Sequence, residues 1–230
     1  MRIATTGLNL PQGKAKYEDQ VILALADQFS PKKVTPYYCE FLLDDYEAAD
    51  AIAISRDRIL DLLIHDIDKL EVRRQRTEDP DEQAALDRVL AGLEGDVPVC
   101  DQELSDVDRE HVRTLSPLSL KPTLIFDGDT VDVNELIRLA MERAGVMFFY
   151  TAGKPEVHAW FVDCGADAVT CAGKIHSDLA RGFVKAEIVS VDDLLQCHNM
   201  QDARKQGLTR LVDHDYVIPQ NTVVDIRFNT

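Results

Sequence analysis

Cations, cysteines and long apolar runs are scarce in this chain. Its 230 residues hold 25 Lys+Arg against 41 Asp+Glu, a net charge of −16, with five cysteines and one tryptophan. An odd set of cysteines without pair-like spacing makes no disulfide framework and points to a reducing compartment. No stretch approaches the roughly 20 apolar residues of a membrane span, and the opening MRIATTGLNL lacks the sustained apolar core of a secretory signal. The expectation is a cytoplasmic protein without a membrane partner. A phosphate-rich partner is repelled by the front half of such a chain, and only a local patch at the back can receive it. The cation deficit is uneven: residues 148–230 hold 8 Lys+Arg against 11 Asp+Glu, and the first 147 hold 17 against 30.

An apolar content of 45% is ordinary for a globular protein, and the length suits one large or two small domains. From Phe148 to Val189 the pattern is dense. An aromatic run, Phe148-Phe149-Tyr150, turns over Gly153-Lys154-Pro155 into an alternation of Val157, Ala159 and Phe161 with His158, Trp160 and Val162. A period of two bounded by turn residues predicts a hairpin. A helix is predicted from about Ala168 to Arg181, capped by Gly182, and a third strand over Phe183–Val189.

Upstream, Met1–Thr5 reads as a strand and Tyr17–Phe29 as an amphipathic helix with Ile22, Leu25 and Phe29 on one face. Lys33–Leu43 and Ala51–Ile54 read as further strands. Ser55 is placed to cap a helix bearing Leu60, Leu63, Ile67 and Leu70. Asp79-Pro80-Asp81-Glu82 starts a second helix with an N-cap, proline at N1 and an acid three residues on. Leu86, Leu90 and Leu93 form its seam and Gly95 ends it. The pair predicts an antiparallel helical hairpin over about 56–95, and its first seam suggests a homo-oligomer formed through that hairpin. Asp132 with Glu135 reads as a cap for a helix ending at Gly145. The acids Asp127, Asp129 and Asp132 miss calcium-loop spacing, and Cys164, Cys171, His176, Cys197 and His198 miss zinc spacing. No metal site is expected.

TAGKPEVHAW, AGKIHSDLARGF and YVIPQNTVVDIRFN resemble, in order and spacing, the C-terminal TGS domain of the YchF/Obg-like ATPases. VTPYYCEF and TLSPLSLKPTLIFDGD resemble segments of that family's nucleotide domain. The resemblance implies cytosolic P-loop ATPases associated with ribosomes. It implies a fold of an α/β remnant of a P-loop-type domain over 1–147 with the hairpin inserted, followed by an α+β β-grasp (ubiquitin-like) TGS domain over 148–230. It also implies ribosome, RNA or a protein as partner. The family's further segments have no counterpart between these blocks, so the nucleotide domain is expected to be shortened.

Three nucleotide elements depart from pattern. A phosphate loop needs Gly-x4-Gly-Lys-Ser/Thr, so that its amides curl around phosphate and the hydroxyl binds magnesium. Here Gly7 and Gly13 stand six apart, Ala15 follows Lys14, and Pro11 removes an amide. Where the family has an Asp-x-x-Gly turn, Leu43 stands at the Asp and Tyr46 at the Gly. Where it reads the base, this chain has Asp127-Gly128-Asp129. The expectation is therefore a non-catalytic binding protein without a cofactor. The alternative is a residual ATP or GTP binder with magnesium, resting on Gly7, Gly13 and Lys14, with Asp44 or Asp45 as a substitute metal ligand. For RNA or a partner the candidates are Lys174, His176, Arg181 and Lys185, with Arg204, Lys205 and Arg210 as a second basic cluster. On one continuous helix, Lys174, Asp178 and Arg181 share a face.

Overall fold

A computed structural model describes residues 1–229. From the N-terminal side the elements are β1 (Arg2–Thr6), β2 (Gly13–Lys16), α1 (Gln20–Phe29), β3 (Lys33–Thr35), β4 (Tyr38–Leu43), β5 (Ala51–Ser55), α2 (Ile59–Arg76), α3 (Pro80–Glu94), α4 (Asp106–Leu115), β6 (Thr123–Phe126) and α5 (Val133–Arg143). They continue with β7 (Val146–Ala152), β8 (Glu156–Asp163), α6 (Ala168–Ile175), α7 (Ser177–Arg181), β9 (Phe183–Ser190), α8 (Val191–Leu195), α9 (Met200–Lys205), β10 (Arg210–Val212) and β11 (Thr222–Phe228). Two units result, one of residues 1–15 and 39–144, the other of residues 16–38 and those from Gly145 onward.

The first unit is built on a sheet of order β2-β4-β1-β5-β6, with β1 parallel to β4 and β5, and β5 parallel to β6. Strands buried on both faces read as continuous apolar runs, and every residue of β5 is buried. On one face Ala4, Ile52 and Ile54 pack with Leu62, Leu63 and Leu70 of α2, Leu86 and Leu93 of α3, and Val112 of α4. The helix α5 lies on β5 and β6 and buries Leu136, Ile137 and Ala140. Asp79 caps α3 through the amide of Asp81 at 3.0 Å, with Pro80 at its first position. Glu82 does not close a capping box; it turns back to Arg73 at 2.7 Å and to Thr77.

The seam expected to pair two copies is spent inside this unit. Leu63 and Leu70 are 0% exposed, while Leu60 is 58% exposed and lies off the buried face. Asp66, also buried, accepts the amides of Leu118 and Ser119 at 2.6 and 2.8 Å, tying the hairpin to the segment that leads into β6. Ser55 makes no capping bond, because a 3-10 turn over Arg56–Arg58 precedes α2.

The second unit has a sheet of order β10-β9-β11-β7-β8-β3. The hairpin β7–β8 runs in register from Val146↔Asp163 to Ala152↔Val157. β9 pairs antiparallel with β10 and β11, and β11 parallel with β7. One face packs Met147, Phe149, Val162, Ala186, Ile188 and Val224 with Ala168 and Cys171 of α6. Aromatic packing organises the other face: Tyr17 stacks on Phe148 and Tyr37 on Phe161, with ring centroids 5.9 and 4.9 Å apart. Tyr150 donates to Asp19 at 2.7 Å, and Asp19 caps α1 by accepting the amide of Val21 at 2.9 Å.

Those bonds change the division expected at 147/148, since residues 16–38 fold with the C-terminal unit. The strand expected over Lys33–Leu43 is two strands in two sheets. β3 pairs with β8 and β4 with β1, and the break falls at Pro36, which has no amide to continue a ladder. The helix expected over 168–181 is also two, broken at His176, whose backbone is extended (φ −163°, ψ 142°). The His176 imidazole Nδ1 accepts the amide of Asp178 at 3.1 Å and caps α7. Lys174 therefore does not share one helical face with Asp178 and Arg181.

Candidate functional site

Gly7 follows β1 with φ +68°, and a side chain there would start 2.0 Å from the Ser55 hydroxyl and 2.8 Å from the Arg58 stem. Both the turn and the close approach demand glycine. Gly13 (φ +84°) faces open space, and Lys14 is exposed on β2, an edge strand of the first sheet. The chain at Gly13–Lys14 thus enters a strand. A phosphate loop instead feeds its amides directly into a helix N-terminus.

At the end of β4, Asp44 adopts φ 54°. Its Oδ1 accepts the Thr6 hydroxyl at 2.7 Å, and the buried Tyr46 hydroxyl donates in turn to Thr6 at 2.7 Å. Tyr46 fills the space a glycine would leave open, and burial raises its phenol. Asp45 accepts the amide of Ala48 at 3.1 Å. After β6, Asp127 pairs with Arg56 at 2.6 Å, and the carbonyl of Asp129 accepts the amide of Asn9 at 2.7 Å. Between Gly7, Arg56, Asp57 and Asp127–Asp129 lies a hollow of about 680 Å³ at the C-terminal ends of β1, β5 and β6. That is where open α/β sheets bind ligands.

The basic candidates of the second unit are mostly committed to local partners. Arg204 and Arg227 both grip Glu187, which is 1% exposed in the middle of β9, and Thr209 adds a bond at 2.8 Å. Those contacts hold the Glu187 carboxyl down at about 2. Lys185 pairs with Asp213, Arg181 with Asp178 at 3.3 Å, and Arg210 lies over the Tyr216 ring at 4.9 Å. Lys174, His176 and Lys205 are exposed. The structure thus spreads the two basic groups over separate elements.

Two organising residues, Glu187 and Asp19, were not among the sequence candidates. For Glu187 the signal was an acid inside the apolar strand FVKAEIV, where an unpaired charge is costly. All five cysteines are free; burial pushes the thiols of Cys39 and Cys171 up to about 11 and about 12. Among the described residues no group of three His, Cys, Asp or Glu is placed to hold a metal ion, and no helix is long and apolar enough to cross a membrane.

Residues 146–229 match the family model YchF-GTPase_C, described as "Protein of unknown function (DUF933)". The "Ribosome-binding ATPase YchF" of Mycoplasma genitalium is 41% identical over 97 residues, which cover 42% of this chain and 26% of that protein. Its namesake in Haemophilus influenzae is 34% identical over 152 residues, 63% of this chain and 40% of that protein. The matched segments thus span well under half the length of these relatives. A solved structure of the Schizosaccharomyces pombe YchF GTPase superposes with a TM-score of 0.77 at 16% identity, over 95% of this chain and 88% of that one. At the level of fold, this likeness makes the architecture α/β and P-loop-like.

Proposed function

We propose, for a chain that is YchF-like by sequence and by fold, a non-catalytic docking protein that engages the ribosome. Its second unit acts as a TGS-type β-grasp domain, and the first is a reduced α/β domain. One observation carries the proposal: the groups that would grip a triphosphate are displaced, missing or bonded elsewhere. Lys14 extends from an edge strand, Ala15 has no hydroxyl for magnesium, and the Asp44 carboxylate is bonded to Thr6. Those residues do not fit a magnesium–triphosphate group, and no step is assigned through one. The part of the chain that matches a family model, residues 146–229, lies by contrast in the second unit, and relatives of the chain are named as ribosome-binding. Because most of its cations are paired internally, the contact should involve few phosphates, with a shallow salt slope of about −0.9 per duplex phosphate.

Pelleting with ribosomes through a sucrose cushion tests the reading. The intact chain and its Lys14→Ala variant should pellet alike; absence of both from the pellet would refute it. A second reading, residual ATP or GTP binding, is favoured by the hollow beside Gly7 and Asp127. Calorimetry with each nucleotide plus magnesium separates the two, because micromolar binding by the intact chain would reverse their order.

A further inference from the structure

The helical hairpin of the first unit has an outer face that the core does not use. Leu62, Leu63, Asp66 and Leu70 turn one side of α2 inward. Leu60, Ile64, Ile67, Glu71 and Arg74 follow at spacings of four, three, four and three, and so form a neighbouring stripe. Leu60 is 58% and Ile64 49% exposed, and Ile67 is half-buried. Along the C-terminal half of that stripe a hollow of about 340 Å³ lies between α2 and α3. Glu71 and Arg74 line it from one helix, and Asp87, Leu90, Ala91 and Glu94 from the other. Exposed aliphatic side chains beside a cleft between antiparallel helices offer a seat for a third helix.

The charge around that seat has one sign. Arg74, the one cation lining the hollow among the described residues, is paired with Asp87. Glu71 and Glu94 stand in no ion pair among the described residues, nor does exposed Asp68, four residues after Ile64. Residues 1–15 and 39–144 hold 14 Lys+Arg against 27 Asp+Glu, so −13 of the net −16 belongs to this unit.

We propose that this face of the hairpin receives an amphipathic helix of a protein partner. Its apolar stripe covers Leu60, Ile64 and Ile67, and flanking lysines or arginines meet Asp68, Glu71 and Glu94. Ribosome docking through the second unit is not needed for it. A helix enters such a groove through side chains at i, i+3, i+4 and i+7, and unpaired charges on the rim select a partner of opposite sign. A nucleic acid would bring more negative charge to a unit that already carries a surplus.

The test titrates isotope-labelled full chain with three probes: a peptide with Leu at i, i+3, i+4 and i+7 and Lys between, the same peptide with Glu for Lys, and oligouridylate. The Leu/Lys helix should shift the amides of Ile64, Glu71, Ala91 and Glu94 saturably, and the other two probes should leave them in place. Combining Glu71→Gln with Glu94→Gln should weaken that complex about fivefold and flatten its salt dependence. Combining Leu60→Ala with Ile64→Ala, both at exposed helical positions, should weaken it about tenfold with circular dichroism unchanged. No saturable binding, shifts confined to other residues, variants that bind as tightly as the parent, or movement of these amides by oligouridylate or the Leu/Glu peptide would overturn the proposal. A dimer of the chain alone that Leu60→Ala with Ile64→Ala dissociates would give the face to a second copy, and would overturn it too. All of this is read without ribosomes, so its failure leaves the docking of the second unit untouched.

Discussion

Neutralising Glu187 measures how far the second unit rests on one carboxylate. Glu187 is 1% exposed, and bonds from Arg204, Arg227 and Thr209 hold its pKa at about 2 against an ordinary 4.5. That gap corresponds to roughly 3 kcal/mol. Solvent around the two half-exposed guanidinium groups lowers the expectation to roughly 2–3 kcal/mol. Because the folded-state pKa lies below the unfolded one, the stabilisation is fully present above about pH 4.5 and fades as pH falls toward 2. Glu187→Gln keeps the shape and removes the charge. Urea unfolding followed through Trp160, the one tryptophan of the chain and a residue of β8, reads this unit directly. At pH 7 the variant should be weaker by roughly 2–3 kcal/mol, and the two proteins should converge to within about 1 kcal/mol near pH 2.5. A deficit of constant size from pH 7 to pH 2.5 would refute the reasoning, because it would have a cause other than the carboxylate charge.

Further outcomes follow from other contacts. Tyr150→Phe removes the donor to buried Asp19 and should cost about 1–3 kcal/mol in the same Trp160 assay; no loss would show that residues 16–38 are held by aromatic packing alone. Gly7→Ala should destabilise the first unit by several kcal/mol, through both its positive φ and the Ser55 hydroxyl 2.0 Å from the new carbon. Ser55→Ala should be near neutral alone, since its buried hydroxyl has no hydrogen-bond partner, and should change little of the Gly7→Ala deficit that comes from φ, as a double-mutant cycle would report. Leu63→Asp should abolish folding of the first unit, while Leu60→Asp, at an exposed position, should leave circular dichroism and mass by light scattering unchanged. A first unit that still folds as Leu63→Asp would contradict the internal use of the hairpin seam.

Much of the local structure was legible because it is set by short-range chemistry. Asp79-Pro80 and Asp132 cap the helices they were expected to cap, and the alternation from Val157 to Val162 became β8 of a hairpin. What failed depends on distant partners. Amphipathicity gave α1 an apolar face at Ile22, Leu25 and Phe29 but no information about which sheet would receive it. That choice is made by Tyr17, Asp19 and Tyr37 meeting Phe148, Tyr150 and Phe161. Lys33–Leu43 keeps strand character throughout, and Pro36 was its single break signal. At His176 a capping imidazole overrides helical spacing, which dissolves the face expected to join Lys174 to Arg181. The basic candidates were misjudged for a related reason: residue type shows a cation, but only the fold shows that Glu187 already holds Arg204.

Pelleting the intact chain with ribosomes, in nucleotide-free buffer and again with saturating Mg-ATP, tests nucleotide-independent docking most directly. A docking protein without a triphosphate grip should pellet to the same extent in both. A chain that pellets only with Mg-ATP, or in neither condition, contradicts the account.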